Sequence, residues 1–135
     1  MKEYPWISIL YYVSAAYDGI LGLAFLSMPL RIFDWCGTTP PNHIGYVHFP
    51  AALLIIFAFM FISIARNPLR NRNLIPYGIL FKVSYCAVVF GHWFTRGLPD
   101  MWKSFALFDA CFAVLFVWSY MALSGKRKES QTNYE

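Results

Sequence analysis

Residues 43–65 read HIGYVHFPAALLIIFAFMFISIA, an apolar run without a formal charge that closes on Arg66, Asn67 and Pro68. Hydrocarbon about 30 Å thick, crossed by a helix rising about 1.5 Å per residue, takes about 20 residues, so this run is long enough to span a bilayer. Proline ends the helix and arginine meets the headgroups. Three other runs share its character. Residues 6–30 are apolar except for Asp18 and close on Pro29, Arg31 and Asp34. Residues 74–94 carry Lys82 inside the run, and residues 102–123 carry Asp109. The expected fold is all-α, an antiparallel four-helix integral membrane bundle over residues 1–125. A polar cytoplasmic tail at residues 126–135 follows, its composition that of a disordered segment.

Composition points the same way. Of 135 residues, 59% are hydrophobic, 20% aromatic and 13% charged, against about 25% charged in a soluble domain. About 80 apolar residues match the supply needed for about four spans. A water-soluble globule, a disordered chain, a disulfide-stapled module and a nucleic-acid domain are all excluded, because each needs a polar surface or a cysteine density that is missing. The net charge of +4 comes from residues scattered at the ends of apolar runs, where it sets orientation in a membrane. Lys2 ahead of the first run, with the small residues Ser14, Ala15 and Ala16, is the outline of a signal peptide. Its basic region is thin, and a retained span is the expectation.

The basic residues outside the apolar runs divide unevenly. Lys2, Arg66, Arg70, Arg72, Lys126, Arg127 and Lys128 fall on one side, and Arg31, Arg96 and Lys103 on the other. The positive-inside rule then puts both termini and the 66–73 loop in the cytoplasm, and the expected location is the cell (inner) membrane. Trp6, Trp35, Trp93, Trp102, Tyr4, Tyr46 and Tyr77 lie near span ends, where such rings anchor at the headgroups.

The informative feature is charge inside the spans. An aspartate or lysine at the centre of a spanning helix costs about 3 kcal/mol on insertion scales, so Asp18, Lys82 and Asp109 need partners. Counting ~1.5 Å per residue from the outer boundary places Asp18 at ~12 Å, Asp109 at ~10 Å and Lys82 at ~18 Å. A lysine side chain reaches about 6 Å along its stem, enough for Lys82 to join both carboxylates. Two carboxylates against one ammonium leave a surplus negative charge, which holds a proton or attracts a second cation. His48 and His92, nearer the outer face, are candidates for that second cation. Such a cluster suits proton coupling or binding of a cationic or polar ligand. The competing reading is that the charges only specify which helices pair.

Helical spacing extends the candidate site. Lys82, Tyr85, Cys86, Val89 and Trp93 share one side of the third span, with His92 seven residues after Tyr85. Tyr11, Ser14, Asp18 and Gly22 share a face of the first. The candidate ligand- or proton-binding residues are therefore Asp18, Lys82, Asp109, Tyr85, His92 and His48. Ala15 with Gly19, and Asp18 with Gly22, bring small residues four apart, which lets another backbone approach within the bundle or across a homodimer. Cys36, Cys86 and Cys111 have no CxxC spacing, and no HxxxH or ExxH pattern accompanies them, so neither a metal nor a cofactor is expected. The loop PLRIFDWCGTTPPNHIGY at residues 29–46 is stiffened by Pro40 and Pro41; an interfacial loop is the expectation, and a lid across the outer mouth of the bundle is the alternative.

The segments YYVSAAYDGILG, TTPPNHIGYVHFP, NRNLIPYGILFKVSY and WKSFALFDACFAVLFVW, spread between Tyr11 and Trp118, resemble a group of small four-span bacterial membrane proteins. One member of that group is encoded in biphenyl-degradation operons. The resemblance implies a four-helix membrane fold and a setting in which hydrophobic small molecules are handled, and it carries over no catalytic residue.

Three function classes remain. The first is a membrane protein that binds or transports a small amphipathic molecule or protons through the charged cluster, with a dimer needed to enclose a pathway. The second is an accessory or structural subunit of a larger membrane complex. The third is an enzyme acting on a lipid or quinone, ranked last because no nucleophile and base pair, GxSxG, P-loop or HExxH pattern is present. Expected partners are membrane lipid and a hydrophobic or amphipathic small molecule, with no nucleic acid.

Overall fold

A computed structural model describes residues 4–134. Its elements are α1 (Pro5–Ser27), α2 (Pro29–Trp35), α3 (Gly45–Arg66), a single 3-10 turn (Arg72–Leu74), α4 (Ile75–Thr95) and α5 (Asp100–Thr132). There is no strand among the described residues. Four of the helices, α1, α3, α4 (taken with the 3-10 turn) and α5, are long and apolar enough to cross a membrane.

Local chemistry sets the helix ends. Proline opens α1 and α4 within the first turn, where its missing N–H has no partner to lose. The first span stops at Ser27 and not at Leu30. A residue before proline is pushed out of the helical region, and Met28 sits at φ −140°, ψ 51°. Pro29 then starts α2, a short helix within the loop expected at residues 29–46. Gly45 donates its N–H to His43 Nδ1 at 2.9 Å as α3 begins. At the far end of α3 the Asn71 side chain donates to Ser63 O at 2.7 Å, folding the turn back on the helix. Gly97, at φ 73°, turns the chain between α4 and α5. Asp100 then places a carboxylate in the first turn of α5, against the positive end of the helix dipole.

The polar tail departs from expectation. Helix α5 runs on to Thr132, so the residues read as disordered continue the fourth span as helix. Lysine, arginine and glutamate are good helix formers, and an existing helix end extends without a new nucleus. The Lys126 ammonium also lies 5.5 Å from the centre of the Tyr4 ring.

The helices form two close pairs, α1 with α3 and α4 with α5. Gly19 faces Ala58, and one turn later Gly22 faces Ala51, so the paired chains run in opposite directions. The pairs then dock through large side chains. Tyr11 stacks on Phe116 with centroids 4.8 Å apart, Phe57 on Phe81 at 3.9 Å, and Phe25 on Trp102 at 6.3 Å.

This builds two apolar clusters. One, around Tyr11, Phe61, Ile64, Ile75, Phe116 and Leu123, fills the end where the 66–74 connection crosses. The other, around Phe25, Phe33, Val47, Ala51 and Met101, fills the opposite end. Phe33 brings α2 into that second cluster, edge-on to Phe25 and Trp102. The outward faces carry Ile20, Leu23, Phe59, Leu80, Val114 and Met121, while Ser14, Asp18, Lys82, Asp109 and Ser119 are buried. Charged side chains buried in an otherwise apolar interior, under a surface rich in large apolar side chains, depart from the pattern of a water-soluble domain.

Tyr11 gives a local test of the docking between pairs. Ser119 donates its hydroxyl proton to Phe116 O at 2.8 Å, so the Tyr11 hydroxyl, 2.8 Å from Ser119 Oγ, is the donor to serine. Tyr11→Phe keeps the stacked ring and removes one buried hydrogen bond. The expected loss is about 1 kcal/mol, read as a small drop in melting temperature in detergent.

Candidate functional site

Between the two apolar clusters lie the charged residues. On α1, Tyr11, Ser14, Asp18 and Gly22 recur at spacings of three and four residues, and all four are buried. On α4 the same spacing buries Gly78, Lys82, Cys86 and Val89, and on α5 it buries Ala106 and Asp109. The three faces converge at one depth. Lys82 Nζ donates to Asp18 Oδ1 at 2.8 Å, to Asp18 Oδ2 at 3.0 Å and to Asp109 Oδ1 at 3.0 Å. The ammonium uses its three protons, and one cation bridges acids from two other helices.

The rings around Lys82 complete its surroundings. Its Nζ lies 5.4 Å from the Tyr17 ring centre, 5.8 Å from Phe61, 5.3 Å from Phe81 and 5.2 Å from Phe112. These distances are within cation–π range. Residue spacing had singled out none of these four rings. The available signal was adjacency: Tyr17 precedes Asp18, Phe81 precedes Lys82, and Phe112 follows Asp109 by three residues.

The two acids are held differently. Both oxygens of Asp18 accept from Lys82, and its side chain is 1% exposed. Asp109 accepts through Oδ1 alone, and its side chain is 10% exposed. The Asp109 exposure opens on a cavity of about 170 Å³ that reaches from the triad toward the α2 end. All four long helices line it, through residues that include Tyr17, Asp18, Ala51, Tyr85, Trp102 and Asp109. Its wall is mostly ring and aliphatic surface, with the carboxylates at its inner end. The Tyr17 hydroxyl is buried and has no hydrogen-bond partner among the described residues.

The remaining sequence candidates separate. Tyr85 lines the cavity and donates its hydroxyl to Trp102 O at 3.2 Å. His92 does not join the cluster. It is exposed beside Gly91 and Arg96, because ten residues at about 100° each turn it ~80° away from Lys82. His48 is also elsewhere, half-buried in a surface depression with Arg31 and Ile44. It follows the inward-facing Val47 by one residue, a turn of about 100°. Neither histidine supplies the second cation. Cys86 donates its thiol to Ala106 O at 3.3 Å, whereas Cys111 is exposed.

Comparison with protein-family models, with curated proteins and with solved structures finds no match to this chain. The functional reading therefore rests on the geometry.

Proposed function

We propose that this chain is a small multi-pass membrane protein that binds a small amphipathic molecule in the cavity beside Asp18, Lys82 and Asp109. The observation that carries the reading is the cavity itself, about 170 Å³ lined by four helices and open on one side, apolar along its walls and with two carboxylates in its lining. Such a division of surface fits a molecule with an apolar body and one polar group. The excess of basic residues at the 66–73 connection and at both termini supports an orientation with these in the cytoplasm. The charged cluster also supports exchange of a proton or cation with the bound molecule, and movement across the membrane would require a second copy to enclose a path.

The test is native mass spectrometry of the full chain released from its own membrane. A stoichiometric small molecule is expected, and it should be lost in Val47→Phe, whose ring projects into the cavity from α3. A stoichiometric protein partner with no small molecule would overturn the reading in favour of an accessory subunit. A bare chain, or a small molecule retained unchanged in Val47→Phe, would also overturn it.

A further inference from the structure

We propose that the cavity takes a lipophilic ammonium ion with a body about one aromatic ring in size, and that Asp109 Oδ2 receives its charge. This rests on the cavity-binding reading above and goes beyond it by naming the ligand class and the accepting atom.

Charge comes first. Asp18 and Asp109 against Lys82 leave one negative charge in excess, in an interior where an uncompensated charge is disfavoured. The excess is localised by hydrogen bonding. Three of the four carboxylate oxygens accept from Lys82, and Asp109 Oδ2 has no hydrogen-bond partner among the described residues. Asp109 is also the less deeply buried of the two acids, and it lines the cavity. An anion would be repelled there, and a neutral ligand would leave the excess to be met by a proton, whereas an ammonium ion meets it directly.

Aromatic surface comes second. Lys82 already shows how this interior keeps an ammonium, with carboxylate oxygens on one side and rings on the others. The cavity presents the same two ingredients to a second cation, since Tyr17, Phe25, Phe81, Tyr85, Trp102 and Phe105 contribute rings to its wall. Carboxylate and aromatic surface together make a receptor for alkylammonium groups. The unpartnered Tyr17 hydroxyl adds an acceptor on the same wall.

Size comes third. An apolar protein cavity of about 150 Å³ holds benzene. A volume of about 170 Å³ therefore has room for one ring and an aminomethyl group.

The probes are benzylamine, an ammonium ion at neutral pH, and benzyl alcohol, its near-isosteric neutral counterpart. The full chain in phosphatidylcholine nanodiscs is equilibrated by dialysis with each, and uptake by empty nanodiscs is subtracted. The expected result is tighter retention of benzylamine by about tenfold or more, a difference of about 1.4 kcal/mol. Asp109→Asn, which keeps the side-chain shape, should bring the retention of the two ligands level. Equal retention of both by the unaltered chain overturns this inference and leaves the cavity-binding reading standing. Retention of neither overturns both. A benzylamine preference that survives in Asp109→Asn overturns the assignment to Asp109. The comparison on the unaltered chain decides the ligand class whether or not the variant folds.

Discussion

Lys82→Met is expected to lower the unfolding free energy by about 3–5 kcal/mol, the range found when one partner of a buried ion pair is removed. Methionine replaces the aliphatic stem and fits among Tyr17, Phe61, Phe81 and Phe112, so the loss is not a packing defect. It comes from the acids. With Nζ gone, three carboxylate oxygens lose their donor, and Asp18 and Asp109 face one another across a water-poor interior without a cation. Asp109→Asn should be far milder, because it leaves a neutral Lys82–Asp18 pair with both hydrogen bonds to Asp18 intact. Combining Lys82→Met with Asp18→Asn and Asp109→Asn should recover most of the stability lost in Lys82→Met alone, since no charge is then left unpaired. Denaturant titration of the detergent-solubilised variants checks the order. A Lys82→Met protein within about 1 kcal/mol of the unaltered chain would mean that the triad is solvated or unformed, because a paired buried charge cannot be removed so cheaply.

The legibility of this site in the sequence follows from what each residue must avoid. Asp18, Lys82 and Asp109 were readable because charge within an apolar run has few acceptable positions, all of them facing inward and near a partner. A close approach on α1 was readable for a similar reason, since Gly19 and Gly22 mark where a second backbone can come close, but whether α3 or a second copy supplies that backbone was not. The histidines were not readable. A histidine near a helix end is tolerated on any face, so its direction depends on helix rotation, which residue spacing leaves open by tens of degrees. His92 and His48 each sit about a quarter turn from the inward stripe and lie outside the cluster. The aromatic ring of walls around Lys82 was hidden for another reason. Phenylalanine and tyrosine are so frequent in this chain that no single ring stands out until three dimensions collect Tyr17, Phe61, Phe81 and Phe112 at one point. The cavity is less legible still, because it depends on the separation between the α1/α3 and α4/α5 pairs and on no single residue.

Within the α1/α3 pair, Gly22 marks a close approach of one backbone to the other. A Cβ built there would lie 2.7 Å from the backbone oxygen of Ala51, 2.9 Å from Ile55 Cγ1 and 3.1 Å from Leu54 Cβ. Side chains can rotate away from such an approach, but a carbonyl within a helix cannot, so α1 and α3 must move apart. Overpacking of this kind costs typically about 1–3 kcal/mol. Gly22→Ala should fall in that range and Gly22→Leu at or beyond its upper end, since the larger side chain cannot be seated between the two backbones. The effect should also reach the cavity, because Asp18 lies one turn before Gly22 on the same buried face and Ala51 and Leu54 line the opposite wall. Loss of ligand retention should therefore accompany the loss of stability. Gly91 provides the contrast within the same bundle. Nothing lies within 4 Å of the position its Cβ would take, so Gly91→Ala removes only the backbone freedom of glycine in α4 and should stabilise by about 0.5–1 kcal/mol. Thermal melting of the two alanine variants in one detergent compares them directly. Opposite signs are expected, and a Gly22→Ala protein as stable as Gly91→Ala would show that α1 and α3 do not meet backbone to backbone at this turn.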